Sequence, residues 1–272
     1  MISVEEARKN ILKEIRAVGT EVVSLQTAAG RVLAEDARSR RTQPPADLSA
    51  MDGFAVKAAD LGAIPARLKI VGEVPAGGSY DKPVQTGEAV RIFTGAALPS
   101  GTDTIIIQED TEFDTKTVTI KEGATRGTYV RPAGLDFSAG DVGIKAPTIL
   151  TPRDIGLLAA MDIPWITVRR KPKIALLSTG DELVRPGEPL GPNQIISSNS
   201  LAVGALIEAA GGEALDLGIA EDNADSLREK VMNARSADML ITLGGASVGD
   251  HDLIQPVLGK EGLSVDFWRI AM

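Results

Sequence analysis

The chain of 272 residues has no cysteine, one histidine (His251) and few aromatic rings: two Trp, two Tyr and five Phe. Without cysteine there are no disulfides, no Cys-ligated zinc, no iron–sulfur cluster and no thiolate nucleophile. One histidine cannot build a multi-His metal site or supply two imidazole acid–base partners, so carboxylates must carry most of the chemistry. Positive charge is also short. The 29 Lys and Arg against 37 Asp and Glu give a formal net charge of -8, which leaves no broad footprint for nucleic acid or an anionic membrane. No apolar run approaches the roughly 18 residues of a membrane span, and Met1-Ile2-Ser3-Val4-Glu5-Glu6 is acidic where a signal peptide would be basic. These features lead us to expect a soluble, cytoplasmic protein that binds no nucleic acid or membrane and holds any anionic ligand locally.

Hydrophobic residues at 43% and charged residues at 24% suit a globular chain, and its length suggests about two domains at roughly 150 residues each. Ser3 stands three residues before Glu6 in a capping-box pattern. Val4, Ala7, Ile11, Ile15 and Val18 follow at helical spacing, so a helix to about Val18 is expected. After Pro44-Pro45 come short β-runs separated by Gly and Pro: Leu68 to Val74, Val90 to Phe93, Thr104 to Ile107 and Thr117 to Ile120. Phe113-Asp114-Thr115-Lys116-Thr117 suggests a hairpin. Thr151 and Pro152 open a second helix that Pro164 ends before the strand-like Trp165-Ile166-Thr167-Val168. Trp165 and Trp268 read most simply as packing residues.

After Arg169-Arg170-Lys171-Pro172 the pattern alternates. Strands are expected over Lys173 to Leu177, Ala214 to Ile219 and Met239 to Leu243. Helices are expected over Leu201 to Ala210, closed by Gly211, and from about Ala224 to Ala234, capped by Asn223. Parallel βαβ units result, with ligand loops at the carboxyl ends of the strands. Those loops are Ser178-Thr179-Gly180-Asp181-Glu182, Ala220-Glu221-Asp222-Asn223 and Gly244 to Asp252, and all three carry carboxylates. The fold class is therefore α/β and multidomain, a β-rich N-terminal lobe plus a parallel-sheet α/β domain. Residues 1–43 and 141–170 form a helical and linker domain, 44–140 the β-rich lobe, and 171–272 the α/β domain.

The third loop fails the dinucleotide pattern G-x-G-x-x-G and lacks the P-loop lysine. It spells G-x-S-x-G from Gly245 to Gly249, the string of a hydrolase nucleophile elbow, but the only histidine, His251, lies four residues from Ser247 on the same loop. The competing readings are an anion cradle of backbone N–H groups at a helix start and a plain strand-to-helix turn. Asp181 and Glu182, two carboxylates at a βα rim, suit metal or water positioning. As plain alternatives, Asp52 before Gly53 is ordinary turn chemistry, Thr94 a strand-end hydroxyl, Asp136 a loop acid and Asp222 helix-approach polarity. Asp250 and Asp252 would favour a helix N-terminus through its dipole.

Ser49-Ala50-Met51-Asp52-Gly53-Phe54-Ala55-Val56, Phe93-Thr94-Gly95-Ala96, Ser178 to Leu183, Ser198-Asn199-Ser200 and the Gly244 to Asp252 loop, taken in this order, resemble the molybdopterin molybdenumtransferase family of the MoeA type, related to the gephyrin E domain. Ala46 and Leu48 stand where the family commonly has Phe and Asn, and Leu135 where Glu is common. The resemblance implies insertion of molybdenum from molybdate into adenylylated molybdopterin with release of AMP, Mg2+ as cofactor, a homodimer, and a molybdopterin adenylyltransferase as a further partner. It implies catalytic roles for Asp52, Glu182 and Asp222, and substrate contacts at Thr94, Asp136, Gly244, Gly245, Ser247, Gly249 and Asp252. Asp181, Glu182 and Asp250 are the metal candidates; Mg2+ prefers carboxylate and water oxygens, which this composition supplies. The family continues for roughly another third of its length, and Val265, Phe267 and Trp268 put apolar side chains on both faces of an expected last strand. On that ground the chain is expected to bind the adenylylated pterin weakly without turnover. A non-catalytic dimerisation or pterin-binding module is the alternative function, and adenylyl transfer to molybdopterin a second enzymatic one.

Overall fold

The structure is a computed structural model that describes residues 2–244, 253–260 and 270–271. The chain divides into two compact units. One comprises Met1–Glu35, Pro147–Thr151 and Ile166–Met272; the other comprises Asp36–Ala146 and Pro152–Trp165. The fold is mixed α/β and rich in strands. No helix of the described residues is long and apolar enough to cross a membrane.

The second unit is organised by a six-stranded sheet in the order Thr104–Ile107, Gly53–Val56, Glu88–Ile92, Ala66–Val74, Thr117–Ile120 and Thr111–Phe113. Pairing is antiparallel except between Ala66–Val74 and Glu88–Ile92. Both faces are covered, because successive residues of one strand enter different cores. Phe54, Val56 and Ile106 join one buried cluster, while Ala55 and Ile105 join the other with Val90 and Ile92. Double-sided burial is why these strands read as continuous apolar runs rather than alternating ones. The expected hairpin is present: Asp114 Oδ1 accepts from the N–H groups of Lys116 (2.7 Å) and Thr117 (2.8 Å), which closes the turn.

In the first unit, Ser3 caps the helix Val4–Glu14 by accepting from the Glu6 N–H at 3.1 Å. The helix stops short of the expected Val18. Ile15 is already extended, and of the apolar stripe only Ala7 is buried, so no packing repays further turns; Ile11 and Ile15 stay exposed. The chain passes instead into the strand Thr20–Ser24, which pairs with Trp165–Arg169. Trp165, expected to pack, is 59% exposed, because the strand alternates and turns Ile166 and Val168 inward in its place.

Three parallel strands follow in the order Glu213–Ala220, Lys173–Thr179, Met239–Leu243. Leu177 packs into a cluster with Ala220, Leu227 and Val257, the last two from the helices Ala224–Asn233 and Ile254–Lys260. Its neighbour Leu176 lies against Gly204 of the helix Asn199–Ala209. Helices thus cover both faces of the parallel sheet, as such sheets require. The expected caps hold: Asn223 Oδ1 accepts from Ser226 N at 2.8 Å, and Gly211 ends the preceding helix at φ 88°.

Candidate functional site

In the strand-rich unit, Ser49, Asp52, Gly53 and Thr94 form a tightly specified turn. Ser49 is fully buried, and its hydroxyl donates to the Met51 carbonyl at 2.6 Å. Its backbone carbonyl accepts from the Gly95 N–H at 2.9 Å. Gly53 is required by close approach, since a Cβ there would stand 1.9 Å from the Ile106 carbonyl oxygen. Asp52 is thereby held beside Thr94, and its Oδ1 accepts from the Thr94 N–H at 2.8 Å and from the Thr94 hydroxyl at 2.7 Å. The Thr94 N–H first, then its hydroxyl, hold the Asp52 carboxyl below the ordinary carboxylate range; the charge of Arg91 adds to this, and desolvation opposes it. Arg91 itself stacks over the rings of Phe93 and Phe113, 5.2 Å and 5.0 Å from their centroids. Asp136, in the same unit, stands 3.7 Å from Arg131 in an exposed ion pair.

In the parallel-sheet unit the acidic residues gather at the carboxyl ends of the strands. Asp181 Oδ1 accepts from the Asp222 N–H at 2.9 Å, tying the loop after Lys173–Thr179 to the loop after Glu213–Ala220. Glu182 folds back over Gly180, where a Cβ would stand 2.4 Å from Glu182 Oε2. Gly244 ends Met239–Leu243 at φ 105°, and a Cβ there would meet the Thr179 carbonyl at 2.7 Å. Thr179, Glu182, Asn199 and Gly244 line a cavity of about 260 Å³. The Thr179 hydroxyl oxygen is buried and has no hydrogen-bond partner among the described residues.

The structure thus pairs Asp52 with Thr94 in one unit and brings Asp181, Glu182, Asp222 and Gly244 to one rim of the other. Gly245, Ser247, Gly249, Asp250, His251 and Asp252 lie outside the described residues, as do Val265, Phe267 and Trp268. Among the described residues, no group of three His, Cys, Asp or Glu side chains converges to hold a metal ion. Sequence reasoning did not single out Ser49, Arg91 or Thr179. The signals for Ser49 and Thr179 were a hydroxyl just before each quoted turn, Ser-Ala-Met-Asp and Thr-Gly-Asp-Glu; Arg91 carried none.

Two family models match the chain. "MoeA N-terminal region (domain I and II)" covers residues 2–161 and "Probable molybdopterin binding domain" covers 175–272. A curated relative named molybdopterin molybdenumtransferase, from Nostoc, is 40% identical over 258 residues, which is 93% of this chain and 59% of that one. One of the same name from Haemophilus influenzae is 38% identical over 275 residues, 100% of this chain and 68% of that one. The crystal structure of a molybdopterin biosynthesis MoeA protein from Pyrococcus horikoshii superposes with a TM-score of 0.86 at 34% identity, over 96% of this chain and 66% of that one. The chain therefore spans about three-fifths to two-thirds of the length of these relatives. With both models placed in order and the fold matching a solved member, the chain belongs to the MoeA-type molybdopterin molybdenumtransferase family.

Proposed function

We propose that the chain acts in molybdenum cofactor biosynthesis, binding adenylylated molybdopterin and inserting molybdenum from molybdate with release of AMP. The observation that carries this reading is the joined acidic rim, where Asp181 holds the Asp222 N–H and Glu182 lines a cavity at the ends of parallel strands. Open α/β sheets bind ligands at that position. In the proposed reaction water adds to phosphorus of the adenylyl phosphoanhydride and AMP leaves. Glu182 is suited to orient that water and take its proton, and Asp222, fixed through its N–H, to orient the substrate. The dithiolene sulfurs come from the pterin, so a cysteine-free protein can perform the insertion.

Mg2+ fits this rim. The ion is commonly held by one or two carboxylates together with water and phosphate oxygens, and Asp181 and Glu182 are adjacent carboxylates of that kind, with Asp250 as the further candidate. Held there, it would offset negative charge on the phosphoryl oxygens.

For Asp52 we propose a catalytic role as a carboxylate that Thr94 holds in place, and for Thr94 and Asp136 contacts to substrate; Gly244, Gly245, Ser247, Gly249 and Asp252 are proposed to cradle its anionic groups. The three-part division at 43, 140 and 170, a homodimeric assembly, a cytoplasmic location and association with a molybdopterin adenylyltransferase complete the proposal. Product analysis tests it. This reading departs from the expectation of weak binding without turnover, because the acidic rim and its cavity lie within the described residues: with adenylylated molybdopterin and molybdate, the chain should yield AMP and molybdenum-loaded pterin in equal amounts, and Glu182→Gln should slow both together; AMP formation without molybdenum transfer would refute the insertion reading.

A further inference from the structure

The pairing of Lys173–Thr179 with Glu213–Ala220 slips by one residue: Leu176 faces Asp216, but Ser178 faces Ile219. At this bulge Gly218 adopts φ 82°, and its N–H donates to Asp216 Oδ1 at 2.8 Å. Two cations reach the bare face of Gly218. A Cβ there would stand 2.6 Å from Arg185 Nη2 and 3.9 Å from Lys230 Nζ, so only glycine leaves room for the guanidinium. Among the described residues, neither cation has a carboxylate within ion-pair distance.

A cavity of about 270 Å³ opens beside this feature, its wall including Arg185, Asp216, Gly218, Ser178, Ser197 and Ser200. Ser178 and Ser197 are 2% and 7% exposed, and their Oγ atoms lie 3.4 Å apart. Two hydroxyls carry two protons, and one bond between them engages only one. The second proton has no acceptor among the described residues, and a buried donor left in that state is costly. A guanidinium and an unused hydroxyl donor on one wall call for a ligand rich in acceptors, an oxyanion. Asp216 narrows the choice. Its carboxylate faces the same cavity and would repel a fully deprotonated anion, yet it would accept a hydrogen bond from one that keeps an O–H.

We propose that this cavity binds a phosphate group, free or as the monoester end of a larger ligand, with Arg185 and the Ser178–Ser197 pair donating to its oxygens and Asp216 accepting from its O–H. Inorganic phosphate keeps an O–H throughout the neutral range, and a monoester, whose second pKa lies near 6, keeps one at and below about that pH, whereas sulfate offers none. The proposal is independent of the reaction assigned to Glu182, because its readout is binding.

Isothermal titration of the chain with inorganic phosphate, glycerol phosphate and sulfate at constant ionic strength and about pH 6, where the monoester still carries its proton, tests it, using the exposed-residue variants Arg185→Leu and Asp216→Asn with melting curves as a control for folding. Saturable one-to-one binding of inorganic phosphate or of the monoester is expected, and monoester binding alone assigns the site to the end of a larger ligand. Arg185→Leu should weaken binding by about tenfold or more, the usual effect of losing a charge-assisted hydrogen bond. Sulfate should bind more weakly than the phosphate species, and Asp216→Asn should close that gap. No binding of either phosphate species, equal binding by Arg185→Leu, or equal affinity for sulfate in the unaltered chain would overturn the proposal.

Discussion

Asp52 and Thr94, 42 positions apart in the sequence, are joined twice: one carboxylate oxygen accepts from both the backbone N–H and the hydroxyl of the threonine, at 2.8 Å and 2.7 Å. The pair locks the Met51-Asp52-Gly53 turn to the end of the strand Glu88–Ile92 and lowers the pKa of an exposed acid.

Thr94→Ala removes the hydroxyl and should raise the Asp52 pKa toward its ordinary value of 3.8. A carboxyl whose pKa is depressed on folding contributes stability above its unfolded value, and that contribution is lost as pH falls through the folded value. The stability difference between the two forms should therefore be constant near neutrality and vanish at acid pH. Titration of the Asp52 carboxyl carbon by NMR, alongside melting at pH 7 and about pH 3, measures both; an unmoved titration would show that the hydroxyl does not hold the carboxylate.

For Asp52→Asn the expected loss is in turnover, of about a hundredfold or more, with affinity for the adenylylated pterin little changed. Asparagine keeps an oxygen for Thr94 but has no charge to offer a reacting group. Steady-state kinetics separates the two effects, and a loss confined to affinity contradicts a transition-state role.

Asp238 tests the folding electrostatics. Both of its oxygens accept from the Arg170 guanidinium, Oδ2 also accepts from the Lys173 N–H at 2.8 Å, and Arg170 first, then Lys173, pull its pKa to about 2. This bond ties the Arg169-Arg170-Lys171-Pro172 stretch to the residue preceding Met239–Leu243. Asp238→Asn should cost about 1 kcal/mol at neutral pH, the pair being only partly buried. Because the folded pKa is depressed, the contribution is complete above about pH 4 and disappears as pH falls through about 2. Denaturant titrations at neutral and acid pH would show the difference shrink; a difference independent of pH would assign the loss to packing instead.

Gly53→Ala should be among the most damaging single changes in the strand-rich unit. The added carbon meets a backbone carbonyl at 1.9 Å between hydrogen-bonded strands, so two strands must part to admit it. A loss of about 3 kcal/mol or more is expected, seen as a fall of about 6 to 12 °C in Tm. An unchanged melting temperature would mean that the sheet yields without cost.

Local patterns were legible where one rule governed them. Thr104–Ile107, Thr117–Ile120 and Met239–Leu243 appear with the bounds expected of short β-branched runs, and Ser3 and Asn223 cap helices as their positions suggested. The strand Gly53–Val56 was hidden, because all four residues are buried and show no alternation after a turn motif. The first helix reads four residues too long, because periodicity records an apolar face without showing whether anything packs on it. At the candidate site, residue types and loops were legible, since carboxylates at strand ends are a local feature. The pairing of Asp52 with Thr94, the reach of Arg91 over two rings and the bulge under Arg185 depend on long-range register, which no single-sequence pattern encodes.

The most direct test of the acidic rim is a single-turnover measurement of AMP released from adenylylated molybdopterin, with and without molybdate, by the unaltered chain and by Glu182→Gln. Molybdate-dependent release is expected from the unaltered chain and a rate lower by about a hundredfold or more in the variant, with pterin binding retained in both. Pterin binding without any AMP release from the unaltered chain, or equal release from the two forms, would contradict it.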